Sequence, residues 1–180
     1  MNIIFMGSPE FSIPSFKKIL ESHHKIIGVV TTPDKKKGRG LKITSPPVKV
    51  FADKKKIKTL QPDNLRDPSF ISELKKLNAD LFIVVAYRIL PEEVLNIPPL
   101  GIINLHPSYL PKYRGAAPIN WAIIKGEKET GISTFLIEKR VDAGKILMRK
   151  KVFIGENETA GELSVRLSEL GAELLLETIN

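Results

Sequence analysis

The 180-residue sequence predicts an α/β domain on a doubly wound, mostly parallel sheet, and three observations carry that prediction. Short apolar runs alternate with amphipathic stretches along the chain, the order expected when helices return each strand to its neighbour. The run at residues 81–86 is the most hydrophobic of these and belongs at the centre of the sheet, where both faces are covered. No internal repeat or low-complexity linker interrupts the pattern, so residues 1–180 read as a single domain.

Residues 3–6 form a short buried strand. Gly7 then turns the chain into a helix, with Ser8 as its cap and Pro9 at its first position. That helix runs to about Ser22 and buries Phe11, Phe16, Ile19 and Leu20. Residues 26–31 make the second strand, followed by a basic loop. Residues 47–56 form a helix with Val48, Phe51 and Ala52 inward, and residues 69–78 another with Ile71, Leu74 and Leu77 in one stripe. Beyond the central strand come a strand at 101–105, a helix at 117–125 and strands at 132–137 and 145–153. A last helix, capped by Thr159, runs through about Thr178.

Composition narrows the function classes. No apolar run approaches the ~20 residues that cross a bilayer, and the N-terminus lacks the basic flank of a signal peptide. There is no cysteine, which excludes disulfides, thiol catalysis and thiolate metal sites and points to the cytoplasm. The net charge of +8 favours a polyanionic partner such as RNA, although lysine-rich surfaces also serve solubility alone. The strand–glycine–helix opening is not a dinucleotide site. Only Gly7 of the three glycines such a site needs is present, and Glu10 puts negative charge where a phosphate would sit.

The densest chemical signal runs from Gly101 to Pro118. Asn104 and His106 stand two apart at a strand end, so alternation puts both on one face and Leu105 on the other. Pro107 stops the ladder and Pro111 stiffens the loop beyond it. Ligands of open α/β sheets bind beyond the carboxyl ends of the strands. An amide and an imidazole presented there can donate hydrogen bonds to an oxygen that becomes negative. Residue type alone leaves a structural role open for both, since Asn caps turns and a His beside Pro is often simply hydrogen-bonded.

The whole string narrows the choice. Asn104-x-His106-x-Ser108-x-Leu110-Pro111, followed by Tyr113-Arg114-Gly115 and Pro118, resembles the signature of folate-dependent formyltransferases, over essentially the whole chain. The resemblance implies a Rossmann-like formyltransferase fold with Asn104 and His106 catalytic, joined by an Asp that matches Asp142. Taken alone, Asp142 before Gly144 reads as a turn residue. The family further implies 10-formyltetrahydrofolate as formyl donor and no metal. Its folate pocket is expected between Ser108, Tyr109, Leu110 and Pro111 on one side and a strand end carrying Arg88, Ile89 and Leu90 on the other.

Four further stretches are similar to the branch of this family that acts on methionyl-tRNA. They are residues 3–11, the Thr31-Thr32-Pro33-Asp34 run with its basic continuation, residues 45–49, and Val84-Val85-Ala86-Tyr87. That branch implies an initiator methionyl-tRNA acceptor in translation initiation, tRNA contacts at Lys37, Arg39 and Lys42, and a cytoplasmic monomer. It also implies a C-terminal β-barrel domain, expected to be absent from this chain, so that the chain alone binds tRNA weakly. Charge agrees: Lys35, Lys36, Lys37, Arg39 and Lys42 against Asp34, with two glycines, suit a mobile arm for phosphates. Departures keep other acceptors open. Tyr87-Arg88 resembles formyltransferases of nucleotide-sugar amines, and Pro107 and Tyr109 replace commoner Gly and Leu. A sugar-nucleotide amine or glycinamide ribonucleotide is the alternative acceptor, and a non-catalytic RNA-binding remnant the alternative of another class.

Overall fold

The computed structural model describes residues 1–37, 42–138 and 144–180, with the side chains of 36, 37 and 42 also outside the description. In chain order the elements are β1 (Asn2–Gly7), a 3-10 turn (Glu10–Ser12), α1 (Ile13–Leu20), β2 (Lys25–Val30), β3 (Lys35–Lys37) and β4 (Lys42–Thr44). There follow α2 (Pro47–Lys54), β5 (Thr59–Leu60), α3 (Pro68–Lys76), β6 (Leu81–Val85), α4 (Glu92–Leu95) and β7 (Ile102–His106). The chain closes with α5 (Pro118–Ile124), β8 (Glu129–Leu136), β9 (Ile146–Phe153) and α6 (Ala160–Ile179).

Seven strands form one sheet in the order β5-β2-β1-β6-β7-β8-β9. Pairs from β5 to β7 are parallel, and β8 and β9 run antiparallel to their neighbours. The chain builds outward from β1 to β5, then returns to place β6 on the other side of β1. Such a reversal opens a crevice at the carboxyl ends of the strands. The central place expected for residues 81–86 holds, since β6 is buried along its whole length.

One face of the sheet, with Phe5, Ile83, Val85 and Leu105, packs on α1, α2 and α6; the other, with Ile4, Met6, Phe82 and Val84, packs on α3 and α4. β9 closes one edge and leaves Arg149, Lys150 and Lys151 exposed, while the opposite edge is the two-residue β5. No helix among the described residues is long and apolar enough to cross a membrane.

The start of the first helix differs from expectation. The chain makes a 3-10 turn before α1, Pro14 rather than Pro9 takes the early helical position, and Ser8 is not a cap. The Ser8 hydroxyl instead lies 3.1 Å from Thr31 Oγ1 and accepts from the Thr32 amide, tying the loop after β1 to the end of β2. A Cβ on Gly7 would lie 2.9 Å from the Val85 carbonyl oxygen and 2.8 Å from Ser12 Oγ, so close packing against β6 demands glycine there. The flanks of the basic segment, expected as a loop, pair as an antiparallel ribbon, β3 with β4.

Thr159 does cap the last helix. Its hydroxyl accepts from the Glu162 amide while the Glu162 carboxylate accepts from the Thr159 amide. Thr159→Ala should cost about 0.5–2 kcal/mol, read as a lower urea midpoint at unchanged slope.

Candidate active site

A cavity of about 410 Å³ lies beyond the carboxyl ends of β6 and β7. Ala86, at φ 50°, ends β6 in a left-handed turn, and the following Tyr87, Arg88, Ile89 and Leu90 form one wall. They are irregular chain rather than the continued strand end expected. Asn104 and His106 supply the floor, Phe135 stands beside Asn104 on β8, and residues 115–118 close the far side.

Strand alternation gives the floor its chemistry. Asn104 is half-buried and His106 5 % exposed, and both line the cavity. Leu105 between them is 1 % exposed and packs on α6, where a Cβ on Gly171 would lie only 2.8 Å from Leu105 Cδ2. Glycine therefore lets the helix press directly on the strand that carries the site. His106 Nε2 lies 2.9 Å from the Tyr113 carbonyl oxygen, which holds the imidazole against the loop that follows β7.

That loop folds back on β8 and β9. Ser108 Oγ donates to the Lys112 carbonyl at 2.6 Å. Ser133 Oγ donates to the Ser108 carbonyl at 2.8 Å and accepts from the Leu110 amide at 3.1 Å. Arg149 donates to the Leu110 carbonyl and lies 4.5 Å from the centre of the Tyr109 ring, which covers Gly131. These bonds draw Ser108 and Leu110 into the core, and with Tyr109 and Pro111 they are not among the residues lining the cavity. Of the expected folate contacts, Arg88, Ile89 and Leu90 do line it.

Arg88 directs its terminal nitrogens at the Pro62 and Asp63 carbonyls, at 2.6 and 2.9 Å, and at the Tyr87 hydroxyl. Its guanidinium sits 5.2 Å from the centre of the Tyr87 ring. Burial pushes the Tyr87 hydroxyl above its usual range, so it remains a neutral donor, 3.4 Å from the Thr31 carbonyl. Asp142 and Arg39 lie outside the described residues, as do the side chains of Lys37 and Lys42. Among the described residues no group of three or more His, Cys, Asp or Glu could hold a metal ion. Sequence reasoning assigned no role to Ala116, Ala117 and Phe135. The signal for Phe135 was cross-strand register with Asn104, which no single strand's pattern reveals.

A formyl transferase family model matches residues 1–179. The methionyl-tRNA formyltransferase of Caldanaerobacter subterraneus subsp. tengcongensis is 51% identical over 181 aligned positions, covering 99% of this chain and 59% of the relative. That of Acetivibrio thermocellus is 52% identical over 180 positions, covering 99% of this chain and 58% of the relative. The chain thus spans less than two thirds of the length of these curated relatives. Among solved structures, the phosphoribosylglycinamide formyltransferase of Bacillus halodurans superposes with a TM-score of 0.83 at 19% identity, covering 99% of this chain and 93% of that one, a likeness of fold. A family match running from residue 1 to residue 179, on a sheet whose cavity opens where Asn104 and His106 stand, leaves one assignment: the chain belongs to the formyl transferase family.

Proposed function

We propose that this site moves a formyl group from 10-formyltetrahydrofolate to the amino group of initiator methionyl-tRNA, in support of translation initiation. The observation that carries the reading is the convergence of Asn104 and His106 on one cavity at the carboxyl ends of β6 and β7. The acceptor rests on the likeness to curated methionyl-tRNA formyltransferases at about half identity.

In the reaction the amine attacks the formyl carbon and the carbonyl oxygen becomes an oxyanion. Donors held at that oxygen lower the barrier because they are in place before the charge forms. The Asn104 amide and the His106 imidazole are the donors this chain offers. Collapse then breaks the bond from the formyl carbon to the folate nitrogen; the amine loses one proton and the folate nitrogen gains one. Asp142 is assigned to orienting His106 for that exchange. The wall of Arg88, Ile89 and Leu90 is assigned to the folate, with Ile89, 75 % exposed, as an apolar surface for its rings. Lys37, Arg39 and Lys42 are assigned to tRNA phosphates. The sugar-nucleotide alternative leans on Tyr87-Arg88, and Arg88 spends both terminal nitrogens within the protein.

The test is a formyl-transfer assay with 10-formyltetrahydrofolate, offering methionyl-tRNA and an amino-sugar nucleotide in separate reactions. Formyl-methionyl-tRNA should form, and the sugar nucleotide should stay unmodified. Transfer to the sugar alone would sink the proposal.

A further inference from the structure

Three loops that leave the carboxyl edge of the sheet meet at residues 31–34, and the basic ribbon β3–β4 starts from that junction. The Thr32 amide donates to Ser8 Oγ at 3.1 Å, and the Thr31 amide donates to the Leu60 carbonyl at 3.0 Å. The second leg of the ribbon returns to the same place, where the Val48 amide donates to the Ser8 carbonyl at 3.4 Å. Gln61 joins this junction to the cavity. It follows β5 directly, and its Nε2 donates to the Thr32 carbonyl at 3.0 Å and to Asp34 Oδ1 at 2.8 Å. A carbonyl and a carboxylate only accept, so the nitrogen end of the amide faces them and both of its hydrogens are used. The next two residues carry the link onward, since the Pro62 and Asp63 carbonyls accept from Arg88 on the cavity wall.

Asp34 immediately precedes Lys35, the first residue of β3. Bonds to the Thr32 carbonyl and to the Asp34 side chain therefore fix the chain at two points just before the ribbon begins. β3 and β4 form a sheet of their own, unpaired with the main one. A two-stranded ribbon has no core to hold it, so its direction depends on what grips its base.

We infer that Gln61 is a positioning residue: with Asp34 as its partner it sets the direction in which the basic ribbon leaves the sheet. It thereby sets the offset between the ribbon's cations and the cavity floor at Asn104 and His106. The functional half of this inference rests on the methionyl-tRNA reading above, in which the ribbon takes phosphates; the geometric half does not. Gln61 need touch no substrate. A phosphate chain held on a ribbon of fixed direction delivers its reacting end to one place. A ribbon that swings is competent only part of the time, and apparent affinity falls by that fraction.

The test uses two substitutions of Asp34 that remove the same charge. Asp34→Asn keeps an oxygen that accepts from Gln61, and Asp34→Ala does not. Charge alone predicts that both bind RNA at least as well as wild type, because each leaves the ribbon more positive. Positioning predicts a split. KM for methionyl-tRNA should stay at or below the wild-type value in Asp34→Asn, rise about threefold in Asp34→Ala and rise about tenfold in Gln61→Leu, which loses both bonds. KM for the folate donor should hold in all three. The geometry is read separately, from the distance between spin labels at Ile43→Cys on β4 and Ile124→Cys on α5, both exposed, in a chain with no other cysteine. The distance distribution should be narrow in the labelled parent and in Asp34→Asn, and broader in Asp34→Ala and Gln61→Leu. Should Gln61→Leu fail to fold, Asp34→Ala carries both readouts from an exposed position. Equal methionyl-tRNA KM in the two Asp34 variants, or no broadening in Asp34→Ala, would overturn the inference. If methionyl-tRNA is not the acceptor, wild type itself shows no transfer to it, and the distance measurement still decides the geometry.

Discussion

Asn104→Ala should lower kcat for formyl transfer about 100- to 1000-fold, the loss expected when one oxyanion donor is removed, roughly 2.7–4 kcal/mol of transition-state stabilisation. The amide stands on β7 in register with Val84 on one side and Phe135 on the other, and its side chain lines the cavity. Because Asn104 is half-buried and faces the cavity rather than the core, its removal should leave the thermal midpoint within a few degrees of wild type. The folate KM should also hold, since a donor that acts on developing charge contributes little to ground-state binding. Steady-state kinetics beside a thermal melt separates the two quantities. A fall of less than about fivefold would remove Asn104 from the oxyanion site.

Leu105→Ala should produce the opposite pattern, a loss of about 2–5 kcal/mol of stability with a smaller effect on chemistry. Leu105 is 1 % exposed and presses on α6 at Gly171, where no side chain can swing in to fill the gap. A cavity that cannot relax puts the cost toward the upper end of the range. Urea unfolding would show it as a lower midpoint at unchanged slope. The neighbouring residues Asn104 and Leu105, on opposite faces of one strand, thereby divide chemistry from stability. Equal stability losses from the two substitutions would contradict that division.

What the sequence revealed follows the range of the forces involved. β6 and β7 were legible because burial writes itself into consecutive apolar residues, and the last helix because its capping residue, Thr159, stands next to it in sequence. The pairing of Asn104 with His106 needed only the two-residue period of a strand. The two-residue β5 and the four-residue α4 have too little local pattern to be seen; β5 exists because β2 offers it partners. Ser8 read as a cap because its partner Thr31 is 23 residues away. The places of Ser108 and Leu110, outside the cavity lining, were hidden for the same reason. Their places are set by Ser133 and Arg149, which lie far along the chain on β8 and β9.

The two edges of the sheet bear on how the chain behaves when crowded. An open strand edge is a row of unpaired amides and carbonyls, and a second chain can extend the sheet across it. One edge here is β5, too short to template more than a bond or two. The other, β9, is long enough to do so, yet it carries Arg149, Lys150 and Lys151 in succession, and the Phe153 carbonyl at its end is taken by Arg166. Two copies meeting edge to edge along β9 would set these cations against one another with little acidic relief beyond Glu129, already engaged by Lys151. Repulsion among these cations thereby opposes extension of the sheet across β9, a consequence of positive charge that needs no ligand to act.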